Sequence, residues 1–297
     1  MARAEQLPLT MTPSPEPRRL ALLWRRAPFL PLLIILAFIG SALLADLLTP
    51  HSPTKVSLPK RLRPPAWVEG GSWTHPLGTD PLGRDVLARL VYGARVSLLV
   101  AALTLALGGG VGLGIGLLAG YHGGRLDSVL MRAADITMAF PIILFAILLV
   151  AMLGGGLFNV VVSIALVLWA RYARVIRGEV LSLMQRDFIA RARVNGCSPL
   201  RLIVVHLLPN VLNTLMVLLS LQVGWLIIVE SSLSFLGAGI PPPTPSWGSM
   251  IAEGRDYLTR AWWVSLFPGL AIMLTVLAFN LFGDWLRDRL DPRQRQV

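Results

Sequence analysis

Residues 186–209 read RDFIARARVNGCSPLRLIVVHLLP and form a basic segment between two long apolar runs. Phe188, Ile189 and Ala192 fall on one face of a helix, at spacings i, i+1 and i+4, while the arginines occupy the other faces. This pattern predicts a short amphipathic helix at the beginning of the segment.

A turn and a second helix should follow. Gly196 is expected to end the first helix, because glycine adopts the left-handed conformation without a Cβ penalty. Ser198 can cap the next helix and Pro199 fits its first position, so we expect that helix to enter the membrane near Pro209. A bent element of this kind suits docking into a groove on a cytoplasmic partner. A basic loop that only obeys the positive-inside rule is the alternative.

Composition places the chain among polytopic membrane proteins. Hydrophobic residues make up 55% of it and charged residues 14%, which is too apolar for a soluble domain. The net charge of +11 comes from arginines that flank apolar runs, so membrane orientation explains it better than nucleic-acid binding does. The single cysteine, Cys197, excludes an intramolecular disulfide.

The apolar runs predict an all-α fold with six transmembrane helices. An interfacial helix over 84–95, or simply the start of the second span, should precede that span. Pro141 should kink the third span. The predicted spans lie within 27–45, 96–124, 136–153, 157–177, 208–229 and 261–283.

Glycines recur every four residues in the second span. Small residues stacked on one helix face allow another backbone to approach closely, which is how helices associate in lipid. The run therefore indicates a tightly packed bundle. Its members are Gly108, Gly112, Gly116 and Gly120.

Basic residues predict the orientation in the membrane. With six spans both termini share one side, and 18 of the 27 Lys and Arg residues fall on the side that includes segment 186–209. By the positive-inside rule, both termini and this segment are expected in the cytoplasm.

Catalytic and metal-binding patterns are missing from the sequence. Its only lysines, Lys55 and Lys60, do not follow a P-loop, so ATP and Mg²⁺ would have to bind to other subunits. The four histidines show no metal-ligand spacing, and there is no G-x-S-x-G elbow. We therefore predict no catalytic residue, no metal site and no cofactor on this chain.

Two acidic residues near the ends of spans remain of interest, because charges there are costly and often functional. Glu230 should either line a pore or be solvated at the outer interface, and it is our candidate for the substrate path. Asp135 is expected to pair with Arg132, one turn before it.

Segment 186–209 resembles the EAA loop, the cytoplasmic signature of permease subunits in binding-protein-dependent ABC importers. Ala192 occupies the last position of the Glu-Ala-Ala triplet, Gly196 is the glycine of the pattern, and Leu208-Pro209 ends it. The sequence departs from the pattern at three positions. Ala190 replaces the Glu, Arg191 replaces the first Ala, and His206 replaces an apolar residue.

Further motifs are similar to those of the dipeptide/oligopeptide/nickel permease group, and the resemblance covers about residues 27–293. Residues 64–67 (PPAW) and 69–71 (EGG) are most similar to the second permease subunit of dipeptide importers. The other motifs are HPLGTD at 75–80, GRD at 83–85, YGAR at 92–95, LSFLG at 233–237, PPTPSWG at 242–248, FPG at 267–269, NL at 280–281, GD at 283–284 and LDP at 290–292.

This resemblance implies the type I ABC importer transmembrane fold and a location in the bacterial inner membrane. It also implies three kinds of partner: a second permease subunit, two ATP-binding subunits, and a periplasmic or lipid-anchored substrate-binding protein. The cargo would be dipeptides or short oligopeptides, with nickel or another small solute as the alternative. The residues expected to contact the ATPase, or to shape that contact, are Asp187, Phe188, Ile189, Ala192, Arg193, Gly196 and Pro209.

Four regions are expected along the chain. They are a cytoplasmic tail (1–26), the first span with a periplasmic loop and the interfacial helix (27–93), a five-helix transmembrane domain (94–285), and a second cytoplasmic tail (286–297). Two other protein classes remain open. An ion-coupled secondary transporter would show inverted repeats and interrupted helices around an ion site, and a scaffold subunit would have no pore.

Overall fold

A computed structural model describes residues 28–290 of the chain. The predicted tail 1–26 lies outside the described residues, as do residues 291–297 of the second tail. Residues 286–290, which were predicted to begin that tail, instead continue the last helix as far as Leu290.

The described part of the chain is helical and contains no β-strand, which confirms the all-α class. Short 3₁₀ turns cover Leu58–Lys60 and Arg255–Tyr257, and a π-helical turn covers Leu202–Leu207. The α-helices are α1 (Phe29–Leu43), α2 (Ala45–Leu48), α3 (Val86–His122), α4 (Gly124–Ala139), α5 (Ile142–Leu153), α6 (Leu157–Met184), α7 (Asp187–Val194), α8 (Pro199–Arg201), α9 (Leu208–Phe235), α10 (Trp247–Gly254) and α11 (Trp263–Leu290).

Four helical segments in the described range are long and apolar enough to cross a membrane. They are α3, α6, the continuous segment from α8 through α9, and α11. The bent pair α4 and α5 makes a fifth if it is one broken span. Helix α1 is apolar, but its 15 residues extend over only about 22 Å, so the sixth predicted span remains a prediction.

The third predicted span is broken rather than kinked. Helix α4 ends at Ala139 and α5 begins at Ile142, and the two axes differ by 94°. Pro141 explains the break, because it has no N–H to donate and keeps Phe140 out of the helical conformation. Residues 136–139 therefore belong to α4 and not to the apolar helix α5.

Ion pairs hold α4 against α6. Nε and Nη2 of Arg177 donate to the two carboxylate oxygens of Asp127, at 2.7 and 2.6 Å. Asp135 pairs with Arg174, so the prediction that it pairs within its own helix was wrong. The broken span is thus linked to its neighbour by charged side chains as well as by the chain.

Helix α3 is a single helix of 37 residues. It begins at Val86, where the side chain of Asp85 accepts a hydrogen bond from the N–H of Ala88 and caps the first turn. The predicted separate interfacial helix is therefore wrong, and the alternative of a continuous span holds. The predicted domain boundary at 93/94 falls inside this helix.

The predicted glycine stripe forms the contact between α3 and α6, the most extensive helix pair in the described chain. A Cβ placed on Gly112 would lie 2.5 Å from the Cβ of Tyr172, and one on Gly120 would lie 2.7 Å from that of Val180. The two backbones are therefore as close as glycine alone permits. Residue numbers rise together along both helices, so α3 and α6 run parallel.

Parallel packing of α3 and α6 determines which loops share an end of the molecule. The first residues of both helices lie at one end and their last residues at the other. Segment 186–209 follows the end of α6, whereas the connection 51–85 precedes the start of α3. We call these the 186–209 end and the 51–85 end.

Helices α9 and α11 both extend between the two ends and run antiparallel to each other. Gly224 of α9 lies against Val276 of α11, and Gly283 of α11 lies against Leu221 of α9. Since α9 starts at the 186–209 end, α11 starts at the 51–85 end, where α10 also packs. The last described residue, Leu290, therefore shares an end with segment 186–209.

Substitution of a single interface glycine should separate α3 from α6. We expect Gly112→Ala to lower the free energy of unfolding by about 1–3 kcal/mol, because the added methyl group meets Tyr172 and backbone atoms. The measurement is thermal unfolding of the purified full-length chain in detergent.

Gly114→Ala is the matched control, since nothing lies within 4 Å of a Cβ at that position. It should be neutral or stabilising by up to about 1 kcal/mol, because alanine favours the helix more than glycine does. Equal losses in the two variants would contradict the packing described for the glycine stripe.

Candidate functional site

Helix α7 buries one face against its own chain. Ile189 is fully buried, and Phe188 and Ala192 pack half-buried against the same core. The predicted apolar stripe of this helix is therefore confirmed. It anchors the helix to the bundle and does not form an exposed surface.

The turn after α7 has the predicted geometry. Gly196 adopts φ = +71°, in the left-handed region, and its N–H donates to the carbonyl of Arg193 at 3.0 Å. Ser198 accepts a hydrogen bond from the N–H of Arg201 and so caps the next helix, with Pro199 in its first turn. Local chemistry thus accounts for the whole helix–turn–helix element.

Pro209 lies inside a helical segment rather than at its start. The continuous helix runs from Pro199 to Phe235, as expected for a second helix that starts after the Ser198 cap and includes Pro209. Proline cannot donate a hydrogen bond to the preceding turn, and the helix widens just before it into the π-helical turn Leu202–Leu207. The widened turn lies directly between the bent element and the long helix α9.

The outward face of the element carries charged and apolar side chains together. Val194 is 88% exposed and Leu200 is 72% exposed, on either side of the turn. Of the residues predicted to contact the ATPase, Asp187, Arg193, Gly196 and Pro209 are exposed. Two large apolar side chains, each next to an arginine in the sequence, therefore lie on the exposed surface of the bend.

The burial of Ile189 and the exposure of Val194 and Leu200 change the set of residues that could contact the ATPase. A fully buried Ile189 touches its own chain, so it can only shape a contact with a partner. Val194 and Leu200 were missed because neither continues the 188–192 stripe. Val194 lies five residues after Ile189, and Leu200 lies two residues after the Ser198 cap. These positions were the available signal that both side chains face away from the core.

Glu230 is enclosed by this chain and is 1% exposed. Its carboxylate accepts hydrogen bonds from the hydroxyls of Ser97 at 3.0 Å and Ser234 at 2.8 Å, with Ser231 at 3.5 Å. The expectation that it lines a pore or is solvated at the outer interface is therefore not met. The carboxylate instead joins α9 to α3 at a buried polar contact.

A charged network closes the 51–85 end. Arg84 and Arg89 both donate to Asp80, at 2.6 and 2.5 Å, and both donate to Glu253 of α10 at 2.5 Å. Asp80 also accepts the backbone N–H groups of Leu82 and Arg84. These bonds hold the start of α3, the preceding turn and α10 in one rigid arrangement.

Two of the histidines meet at this same end. His51 and His75 lie with their ring centroids 4.8 Å apart, and each presents Nδ1 to the carboxylate of Asp85. Sequence spacing predicted no metal site, because these ligand types are 24 and 10 residues apart along the chain. The fold brings together a set of side chains that could hold a metal ion.

Comparisons with known proteins agree with this architecture. The family model of the binding-protein-dependent transport system inner membrane component matches residues 112–296, which include the whole 186–209 element. The chain is 44% identical, over 90% of its length and 88% of the relative, to the di/tripeptide transport system permease protein DppC of Pseudomonas aeruginosa (strain UCBPP-PA14). It is 45% identical to the dipeptide transport system permease protein DppC of Escherichia coli (strain K12), over 89% of this chain and 87% of that one. The dipeptide transport system permease protein DppC of Haemophilus influenzae is 39% identical over 91% and 92% of the two chains.

Gly196→Pro should unfold the bend. Proline cannot adopt a positive φ and removes the hydrogen bond to Arg193, at a combined cost of about 3 kcal/mol or more. Trypsin should then cleave the purified chain faster after Arg191 and Arg193. Gly196→Asn is the control, because asparagine tolerates the left-handed region. Cleavage of the proline variant at the parental rate would show that the turn does not hold the helix.

Glu230→Ala should destabilise the chain, whereas Glu230→Gln should be mild. Alanine leaves the hydroxyls of Ser97 and Ser234 without an acceptor, at about 1–3 kcal/mol for a buried unsatisfied group. Glutamine keeps a carbonyl acceptor in place. Thermal unfolding of both variants measures the difference, and a larger loss for glutamine than for alanine would refute the structural role.

Proposed function

Since the chain belongs to the family of binding-protein-dependent transport system inner membrane components, we propose that it is one permease subunit of an ATP-driven importer for dipeptides or short oligopeptides. It works in the bacterial inner membrane, with segment 186–209 and both termini on the cytoplasmic side. The peptide cargo follows from the relatives, which are named for dipeptide and di/tripeptide transport.

The proposed complex contains several other chains. A second permease subunit completes the translocation path, two ATP-binding subunits supply energy, and a periplasmic or lipid-anchored protein delivers the peptide. ATP and Mg²⁺ bind to the ATP-binding subunits, and this chain is not catalytic by itself. The absence of a P-loop lysine from its sequence supports that division of labour.

The observation that carries the proposal is the two-sided construction of the bent element. Ile189 is buried against the rest of the chain, whereas the side chains of Val194 and Leu200 are largely exposed. A partner bound to Val194 and Leu200 would therefore move α7 together with the helices that it packs against, because its buried face is tightly packed against the core. Closure of two ATP-binding subunits would then shift the helices to which the element is joined.

The π-helical turn Leu202–Leu207 connects the bent element directly to α9, so a displacement of the element would reach α9 through this turn. π-helical turns are rare within α-helices and frequently occur at functional sites. It connects the docking surface to the helix that carries Glu230 and contacts α3 at the other end. Displacement of the bent element would therefore be transmitted along α9 toward the 51–85 end.

The 51–85 end supports delivery of the substrate. In the proposed orientation it faces the periplasm, and the bonds of Arg84 and Arg89 to Asp80 and Glu253 keep its connection and α10 in a fixed shape. A preformed surface loses less conformational entropy when a binding protein docks on it.

Charged substitutions on the outward face should release the ATP-binding subunits. We expect Val194→Glu combined with Leu200→Glu to reduce their co-purification by at least about tenfold, since each burial of a large apolar side chain is worth about 1.5–3 kcal/mol. The measurement is subunit stoichiometry after co-expression of the full complex, together with peptide-stimulated ATP hydrolysis.

Leu58→Glu is the matched control, because Leu58 is 59% exposed at the opposite end of the bundle. It should leave the ATP-binding subunits attached. If the double variant retains them at parental stoichiometry and supports peptide uptake, the outward face is not the docking surface.

A further inference from the structure

We propose that His51, His75 and Asp85 form a binding site for one divalent transition-metal ion, with Zn²⁺ as the best fit, at the 51–85 end of the chain. The site lies far from the 186–209 element and involves no residue of the proposed docking surface. It does not depend on the nature of the transported cargo.

Geometry supports three ligands from three separate points of the chain. The Nδ1 atom of His75 is 2.7 Å from Oδ2 of Asp85, and the Nδ1 atom of His51 is 3.9 Å from the same oxygen. One ligand atom from each residue can be chosen so that all three lie within 4.8 Å of one another. Ligands about 2.1 Å from a tetrahedral zinc ion are about 3.4 Å apart, so the two observed distances bracket the required one.

The donor set matches the chemistry of zinc. Two imidazole nitrogens and one carboxylate oxygen are the ligand combination of many catalytic zinc sites, in which a fourth position stays open to water. Calcium and magnesium prefer oxygen ligands throughout, so the imidazoles disfavour both of them. His51 is 35% exposed, which leaves a path by which the ion and its water can enter.

The charge of Asp85 also calls for a cation. Its side chain is 4% exposed, and within residues 28–290 its ion-pair partners are His51 and His75 alone. The nearby arginines, Arg84 and Arg89, are used by Asp80 and Glu253. One Asp85 oxygen caps α3, and the other faces the two imidazoles.

His75 is held in a way that suits a ligand. It is 5% exposed, and its Nδ1 lies 2.7 Å from Oδ2 of Asp85. Burial and this contact hold the ring with Nδ1 toward the carboxylate.

A bound ion would cross-link the connection 51–85, which joins α2 to α3. His51 follows α2, His75 lies in the middle of the connection, and Asp85 is the first cap of α3. A cross-link of this kind removes loop freedom from the unfolded chain, so the folded state gains stability when the ion binds. The connection would thus be fixed by a metal at one point and by the Arg84 and Arg89 network at another.

Direct titration tests the proposal. The full-length chain is purified with a tag that contains no histidine, stripped with a chelator and titrated with Zn²⁺ by calorimetry. We expect one equivalent to bind and the thermal midpoint to rise. In His51→Gln the dissociation constant should increase by at least about tenfold, because a ligand is lost. The His51 side chain is 35% exposed, so the variant should fold as the parent does.

His122→Gln is the matched control, because His122 is an exposed histidine at the other end of the bundle and should bind Zn²⁺ like the parent. Visible absorption of the Co²⁺-loaded chain gives a second readout, and its intense bands should vanish in His51→Gln and in His75→Gln. The proposal is overturned if the parent binds no Zn²⁺, or if His51→Gln and His122→Gln bind it with equal affinity. In either case the cluster would be a hydrogen-bonded triad without an ion.

Discussion

The close approach of α3 and α6 is the constraint on which the rest of the molecule depends. Gly112, Gly116 and Gly120 of α3 lie so close to α6 that a side chain at these positions would clash with it. The two helices therefore pack in a fixed register, and they run parallel. In lipid there is no hydrophobic gain from pairing apolar helices, and dense van der Waals contact has to provide the attraction. The parallel arrangement then places segment 186–209 and the connection 51–85 at opposite ends of the bundle.

Each end is built by a different kind of bonding. At the 186–209 end, apolar burial of Ile189 holds a short helix that eight residues could not stabilise alone. At the 51–85 end, the connection has little regular structure, and paired charges replace the missing helical bonds. Because those charges are largely buried, each carboxylate needs its arginine, and loss of one partner would leave an uncompensated charge.

Polar contacts link the helices to one another at a few positions. Glu230 joins α9 to α3 through serine hydroxyls, and the ion pairs of Arg174 and Arg177 join the broken α4–α5 segment to α6. The break at Pro141 and the widened turn before Pro209 lie in the two segments that these contacts restrain. The helices are thus joined by a few polar contacts as well as by close packing.

Local chemistry in the sequence was enough to determine the helical class, four of the six predicted spans and the bend at Gly196. Glycine, Ser198 and Pro199 act on their immediate neighbours. The motifs also indicated the family. Only the tertiary structure decided which face of α7 is exposed, since burial of Ile189 depends on helices far away in the chain. The tertiary structure also shows that Asp135 pairs with Arg174 and not with the expected Arg132, and that Glu230 is buried. It places His51 and His75 next to Asp85. Those outcomes depend on contacts between residues that are many positions apart, and spacing along the sequence carries no record of such distances.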